Sequence, residues 1–136
     1  MVVPVLRAGE RGIPGVWREA VARVRDGRTT KGDVSAAARI SGIMGAKRTS
    51  ELIPLCHPLP LTHLAVDIEL SEDGIAIQAI AATNGQTGVE MEALTAVTIA
   101  GLTLYDMLKS VERGARLTDV RLVEKSGGRS GDVVLE

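Results

Sequence analysis

With 16 Lys and Arg against 17 Asp and Glu in 136 residues, the chain is nearly neutral, at a formal net charge of −1. That balance argues against a broad nucleic-acid or membrane surface, and Trp17 and Tyr105 are the only aromatic residues, too few for a platform that stacks single-stranded bases. The length suits one domain over residues 1–136 with an aliphatic core of Val, Leu, Ile and Ala. A lone Cys56 excludes an internal disulfide and, with no transmembrane run or signal peptide in view, a cytoplasmic setting is expected.

Residues Val2 to Leu6 are apolar and β-branched but contain Pro4, which predicts an edge strand. An amphipathic run from Val16 to Asp26, with Pro14 near its first turn and Gly27 after it, predicts a short helix. Asp33 is placed as the N-cap of a second helix reaching about Lys47, rich in Ala and Gly and so able to approach a neighbour closely. Glu51 to Pro60, ELIPLCHPLP, is a proline-framed loop that holds Cys56 and His57 stiff and extended. Thr62 to Leu70 alternates apolar and polar residues, Glu72-Asp73-Gly74 turns the chain, and Ile75 to Thr83 returns, which together predict a hairpin.

Thr87 to Gly114 then predicts one long helix. Thr87 and Glu90 have the spacing of a capping box, and Gly114 stands where a helix-ending glycine belongs. Thr118 to Lys125 is a further strand, followed by the turn SGGRSGD and an apolar stub, Val133 to Leu135. Strand, helix, helix, hairpin, helix, strand is an α+β order: an antiparallel sheet with helices layered on one face.

Glu92, Asp106 and Lys109 fall on one broad side of the long helix, yet Glu92 and Asp106 are ~21 Å apart at 1.5 Å rise per residue. A single small-molecule site that uses both needs two copies of the chain. The bland alternative makes Glu90 a cap, Glu92 a dipole partner, and Asp106 with Lys109 a solvated i,i+3 pair. In KSGGRSGD, glycines free backbone N–H groups for an anion while Lys125 and Arg129 neutralise it, although neither GxxxxGK[ST] nor GxGxxG occurs. His57 and His63 belong to no metal-ligand pattern, so no metal site is expected. Were residues 56 and 57 in a strand, they would point to opposite sides, which argues against a Cys56–His57 dyad.

The segments KGDVSAAARISGIMGAKRTSELIPLCHPLPL, TGVEMEALTAV, LTLYDMLKSVERG and VRLVEKSGGRSGD, running from Lys31 to Asp132, resemble the MoaC-type family of molybdenum-cofactor biosynthesis. The resemblance implies a ferredoxin-like α+β subunit, a hexamer built as a trimer of dimers with active sites between subunits, and a lyase. The implied reaction converts 3′,8-cyclo-7,8-dihydroguanosine 5′-triphosphate to cyclic pyranopterin monophosphate and releases pyrophosphate. It implies catalytic roles for Asp106, Lys31 and Lys109, and substrate binding by Leu55, Cys56, His57, Glu90, Met91, Glu92 and Lys125.

No cofactor is required by these motifs, and Mg²⁺ arriving with the triphosphate is left open. Two departures stand out: the short segment before the first helix matches poorly, with Arg7 as a stand-in for a substrate-side arginine, and Gln86 occupies a position where a basic residue is frequent. The alternatives to the enzyme are a catalytically silent nucleotide-binding or assembly homologue and a generic nucleotide-binding regulator.

Overall fold

The computed structural model describes residues 2–8, 16–72 and 74–135. In chain order these form β1 (Val2–Ala8), α1 (Val16–Arg25), α2 (Val34–Lys47), α3 (Thr49–Leu52), β2 (Leu61–Ser71), β3 (Gly74–Thr83), α4 (Glu90–Leu108), β4 (Leu117–Lys125) and β5 (Val133–Val134). The strands form one antiparallel sheet in the order β2-β3-β1-β4-β5. Setting aside β5, the connectivity is the split β-α-β of ferredoxin-like domains, so the α+β expectation holds.

The hairpin register explains why this sheet has one apolar face. Leu64 opposes Ala81, Val66 opposes Ala79, Ile68 opposes Ile77 and Leu70 opposes Ile75, so four apolar cross-strand pairs lie on the same side. Ile75, Ile77, Ala79 and Ala81 are buried, whereas Asp67, Glu69 and Gln78 between them are exposed. Against the apolar face pack Ala38 and Ala46 of α2 and Ala96, Val97, Ala100 and Leu104 of α4, in a core without a described aromatic side chain. α4 is long and apolar enough to cross a membrane. Here it is the central core helix, in contact with α2, β1, β3 and β4.

β1 departs from the edge position that Pro4 predicts: it is central, paired with β3 on one side and β4 on the other. Its register against β4 shifts between Val3 and Pro4 and again between Val5 and Arg7. Such irregularities interrupt the hydrogen-bond ladder, so a residue lacking a backbone N–H is tolerated where a regular central strand would reject it. The second shift coincides with Asp119 at φ 57 in β4. Pro14, Asp73 and the side chain of Arg7 lie outside the described residues.

α2 begins as its sequence predicts, with Asp33 Oδ1 accepting from the backbone N–H of Ala36 at 3.0 Å. It runs antiparallel to α4: Lys31, just before α2, meets Asp106, Ser41 shares a 2.7 Å hydrogen bond with Thr103, and Gly45 lies against Ile99. A Cβ on Gly42 would sit 2.8 Å from the Ala96 carbonyl oxygen, and one on Gly45 2.7 Å from Ile99 Cγ1. The two glycines therefore set how closely the helices pack. α3, a single turn after α2, shortens the proline-framed loop at its start.

α4 is shorter than predicted at both ends. Its N-cap is Val89, with no side-chain cap, so Thr87 and Glu90 do not form a capping box. The Glu90 carboxylate instead reaches Lys125, across from β4. At the other end the helix stops at Leu108 and Lys109 caps it; Gly114 does not terminate it but donates its N–H to Glu112 Oε1 at 2.6 Å.

Candidate active site

Because α2 and α4 run antiparallel, each end of the helix pair gathers its own set of polar side chains. At the C-terminal end of α4, the Asp106 carboxylate bridges two lysines. Its Oδ1 accepts from Lys109 Nζ at 2.7 Å and its Oδ2 from Lys31 Nζ at 3.0 Å. Lys31 also donates to the backbone carbonyl of Asp106 at 3.2 Å, in the last turn where the helix dipole favours a cation. The Lys109 hydrogen bond, then that of Lys31, hold the Asp106 carboxyl below its usual range. All three side chains are about half exposed, at 48% to 57%, so screening leaves these pairs little weight in stability. The i,i+3 pair expected from sequence is present, with a third member from 75 residues away.

At the N-terminal end of α4 lies an open cleft of about 570 Å³. One wall is the loop after α3, with Leu55, Cys56 and His57; another is the start of α4, with Glu90, Met91 and Glu92; Lys125 and Arg129 close the third side. The seven residues implied as substrate-binding thus share one cavity. Residues 55–60 are not a strand, so the alternation argument against a Cys56–His57 pair does not apply: both line the cleft.

Lys125 is the most constrained cation here. Its side chain is only 12% exposed, it is ion-paired with Glu90, and it donates to Ser130 Oγ at 3.0 Å. Burial pulls the Glu90 carboxyl upward, but the hydrogen bond and charge of Lys125 outweigh it and the group titrates below its ordinary value. Gly88 makes this possible, since a Cβ there would run into the Glu90 carboxylate. Around Lys125, Gly127 and Gly128 both take φ above 70°, and Asp132 Oδ1 accepts from Gly127 N–H at 2.9 Å. Neither Ser130 nor Asp132 was singled out from sequence, although both sit inside the glycine-rich motif.

Glu92 differs from Glu90 in environment. It is 5% exposed, and desolvation pushes its carboxyl above the ordinary glutamate range, with Glu90 adding to the rise. A carboxyl whose folded pKa is raised binds its proton more tightly in the native state. Its contribution is complete below the unfolded pKa and is lost as pH rises through the folded one. Glu92→Gln removes that loss. The variant is expected to gain melting temperature over the wild type at neutral pH and to match it at acid pH, as read by thermal melts across that range.

Glu92 and Asp106 stay about 21 Å apart along α4, at 1.5 Å per residue, so the two charged ends of one chain are separate. Among the described residues, no three His, Cys, Asp or Glu side chains gather as metal ligands.

An α+β domain with a polar cleft and a carboxylate-bridged lysine pair has the equipment of an enzyme acting on a small anionic molecule. The MoaC family model matches residues 7–128, and the chain belongs to the MoaC family. Curated relatives named cyclic pyranopterin monophosphate synthase are similar over most of their length. One from Thermomicrobium roseum is 56% identical over 123 residues, covering 89% of this chain and 74% of the relative. Another, from Dinoroseobacter shibae, is 54% identical over 123 residues, covering 89% and 78%. A third, from Roseiflexus castenholzii, is 55% identical over 128 residues, covering 93% and 81%.

Proposed function

We propose that this chain is a cyclic pyranopterin monophosphate synthase of molybdenum-cofactor biosynthesis. It takes 3′,8-cyclo-7,8-dihydroguanosine 5′-triphosphate to cyclic pyranopterin monophosphate and pyrophosphate. The observation that carries the reading is the presence of both charged clusters, Lys31–Asp106–Lys109 and the Leu55–Cys56–His57 cleft with Glu90, Glu92 and Lys125, at opposite ends of one helix pair. On this reading the two clusters make up a single site, and their separation along α4 calls for two copies of the chain. A hexamer built as a trimer of dimers satisfies that requirement.

Asp106, held deprotonated by its two lysines, fixes both ammonium groups beside the reacting part of the substrate. When the cyclic phosphate closes, a substrate hydroxyl oxygen bonds to the α-phosphorus and the bond from that phosphorus to the pyrophosphate oxygen breaks. The hydroxyl proton passes to whichever of Lys31 and Lys109 has first given its own proton to the rearranging ring, so that the pair trades protons with the substrate. His57, Met91 and Glu92 hold the nucleoside part in the partner's cleft, and Lys125 faces the phosphates. Mg²⁺, where it takes part, would arrive with the triphosphate. A cytoplasmic location suits this chemistry.

The silent-homologue alternative has less support, since Lys31, Asp106 and Lys109 are all retained and joined by hydrogen bonds. Supplying the purified chain with the cyclised triphosphate and measuring pyrophosphate release tests the reading. Lys31→Ala is expected to lose roughly 100-fold or more in turnover while keeping fold and assembly, the scale of a lost proton-transfer group. Undiminished turnover in that variant ends the assignment.

A further inference from the structure

Two cations border the cleft, and they are not equivalent. Lys125 lies deep, its charge matched by Glu90 and one further N–H given to Ser130. An ammonium has three N–H donors, so only one remains for a ligand, on a charge that is already balanced. Arg129 is exposed at the rim and lines the same cavity, and among the described residues no carboxylate pairs with it. Its backbone is nonetheless well tied. Asp132 accepts from Gly127, Gly131 N–H donates to Gly128 O, and Lys125 anchors Ser130, so Arg129 sits at the tip of a loop stapled on both sides. Glu90 is taken up by Lys125 and Glu92 is only 5% exposed, so among the described residues neither carboxylate pairs with the Arg129 guanidinium at the rim.

We infer that Arg129 is the specificity-determining contact for the terminal phosphates of the substrate. Its planar guanidinium forks onto phosphate oxygens, which an already paired ammonium cannot do. From the rim it meets the end of the polyphosphate that reaches furthest from the nucleoside, while Lys125 gives its remaining N–H to a phosphate nearer the cleft floor. Lys125 with Glu90 is thus chiefly a support that shapes the loop, and Arg129 supplies the net attraction. The inference deepens the proposed function and rests on it for the identity of the substrate, but the anion contact itself is measurable without turnover.

The test is isothermal titration of the full chain with inorganic tripolyphosphate, alongside KM for the cyclised triphosphate. Arg129→Ala is expected to weaken tripolyphosphate binding roughly 10- to 100-fold, the scale of a lost hydrogen bond to a charged group, with the loss of activity carried by KM. Arg129→Lys should fall between the two, since it keeps the charge and loses the fork. Arg25→Ala, which removes an exposed cation at the end of α1, should bind as the wild type does. Unaltered tripolyphosphate affinity in Arg129→Ala, or an Arg25→Ala loss of the same size, overturns the inference. Arg129-dependent binding by a wild-type chain that releases no pyrophosphate would uphold the contact and remove the proposed reaction.

Discussion

Mixing Lys31→Ala chains with His57→Ala chains is expected to restore turnover that neither preparation has alone. Each active site, on the reading above, takes Lys31, Asp106 and Lys109 from one copy and the His57 cleft from another. In a mixed two-fold dimer, one site then inherits both substitutions and the other inherits none. Random pairing makes half of the dimers mixed, so about a quarter of all sites should be intact under isologous symmetry. The measurement is pyrophosphate release after the two variants are co-refolded. A control sharpens it: Lys31→Ala with Asp106→Asn places both lesions at the same end of α4, and every site in that mixture stays damaged. Should the first mixture remain as inactive as its components, the site is not divided between copies, and the separation along α4 needs another explanation.

The separation behind this expectation is legible in the sequence itself. Fourteen residues between Glu92 and Asp106 on one helix give the separation directly, and the antiparallel run of α2 against α4 then explains what occupies each end. Local signals served well where the deciding partner is local: Asp33 caps α2 through a residue three positions on, and alternation in β2 and β3 set the buried face. They served poorly where a distant residue competes. Thr87 and Glu90 have the right spacing for a capping box, but Lys125 offers Glu90 a charge-assisted bond from the far side of α4, which a neutral cap does not match. Pro4 marks a lost N–H in any strand, yet whether the ladder can spare that bond depends on the register of β4. A single turn such as α3 is too short for periodicity to reveal.

The candidate site divides the same way. Its membership came through the resemblance, because single charged residues on a helix are far more often solvated than functional. Its electrostatics did not. Nothing in the spacing separates Glu90 from Glu92, two residues apart, yet beside Lys125 the first titrates below its ordinary value while burial raises the second. That division depends on which side of α4 faces the β4 loop, a property of the assembled layers.

Gly42→Ala should destabilise the fold, and no single side-chain truncation should rescue it. The added methyl would lie 2.8 Å from the Ala96 carbonyl oxygen, 3.2 Å from Ala100 Cβ and 3.3 Å from Val66 Cγ2. The closest of these is backbone inside a core helix, which relaxes only if α2 and α4 move apart. Overpacking of this kind costs about 1–3 kcal/mol, while replacing glycine by alanine within a helix returns up to ~1 kcal/mol. A net loss on the order of 1 kcal/mol is expected. Gly45→Ala meets a different obstacle, because its nearest neighbours are Cγ1, Cβ and Cγ2 of Ile99, a side chain that can be cut back. Combining Gly45→Ala with Ile99→Ala should therefore recover part of the Gly45→Ala loss, a coupling of about 0.5 kcal/mol or more by double-mutant cycle. Denaturant melts of the four chains read the coupling. Because the same helix spacing places Lys31 against Asp106 at one end and His57 opposite Glu92 at the other, Gly42→Ala should also lower turnover in the surviving folded fraction. A Gly42→Ala chain with wild-type stability and turnover would show that the close approach of these helices is incidental to both.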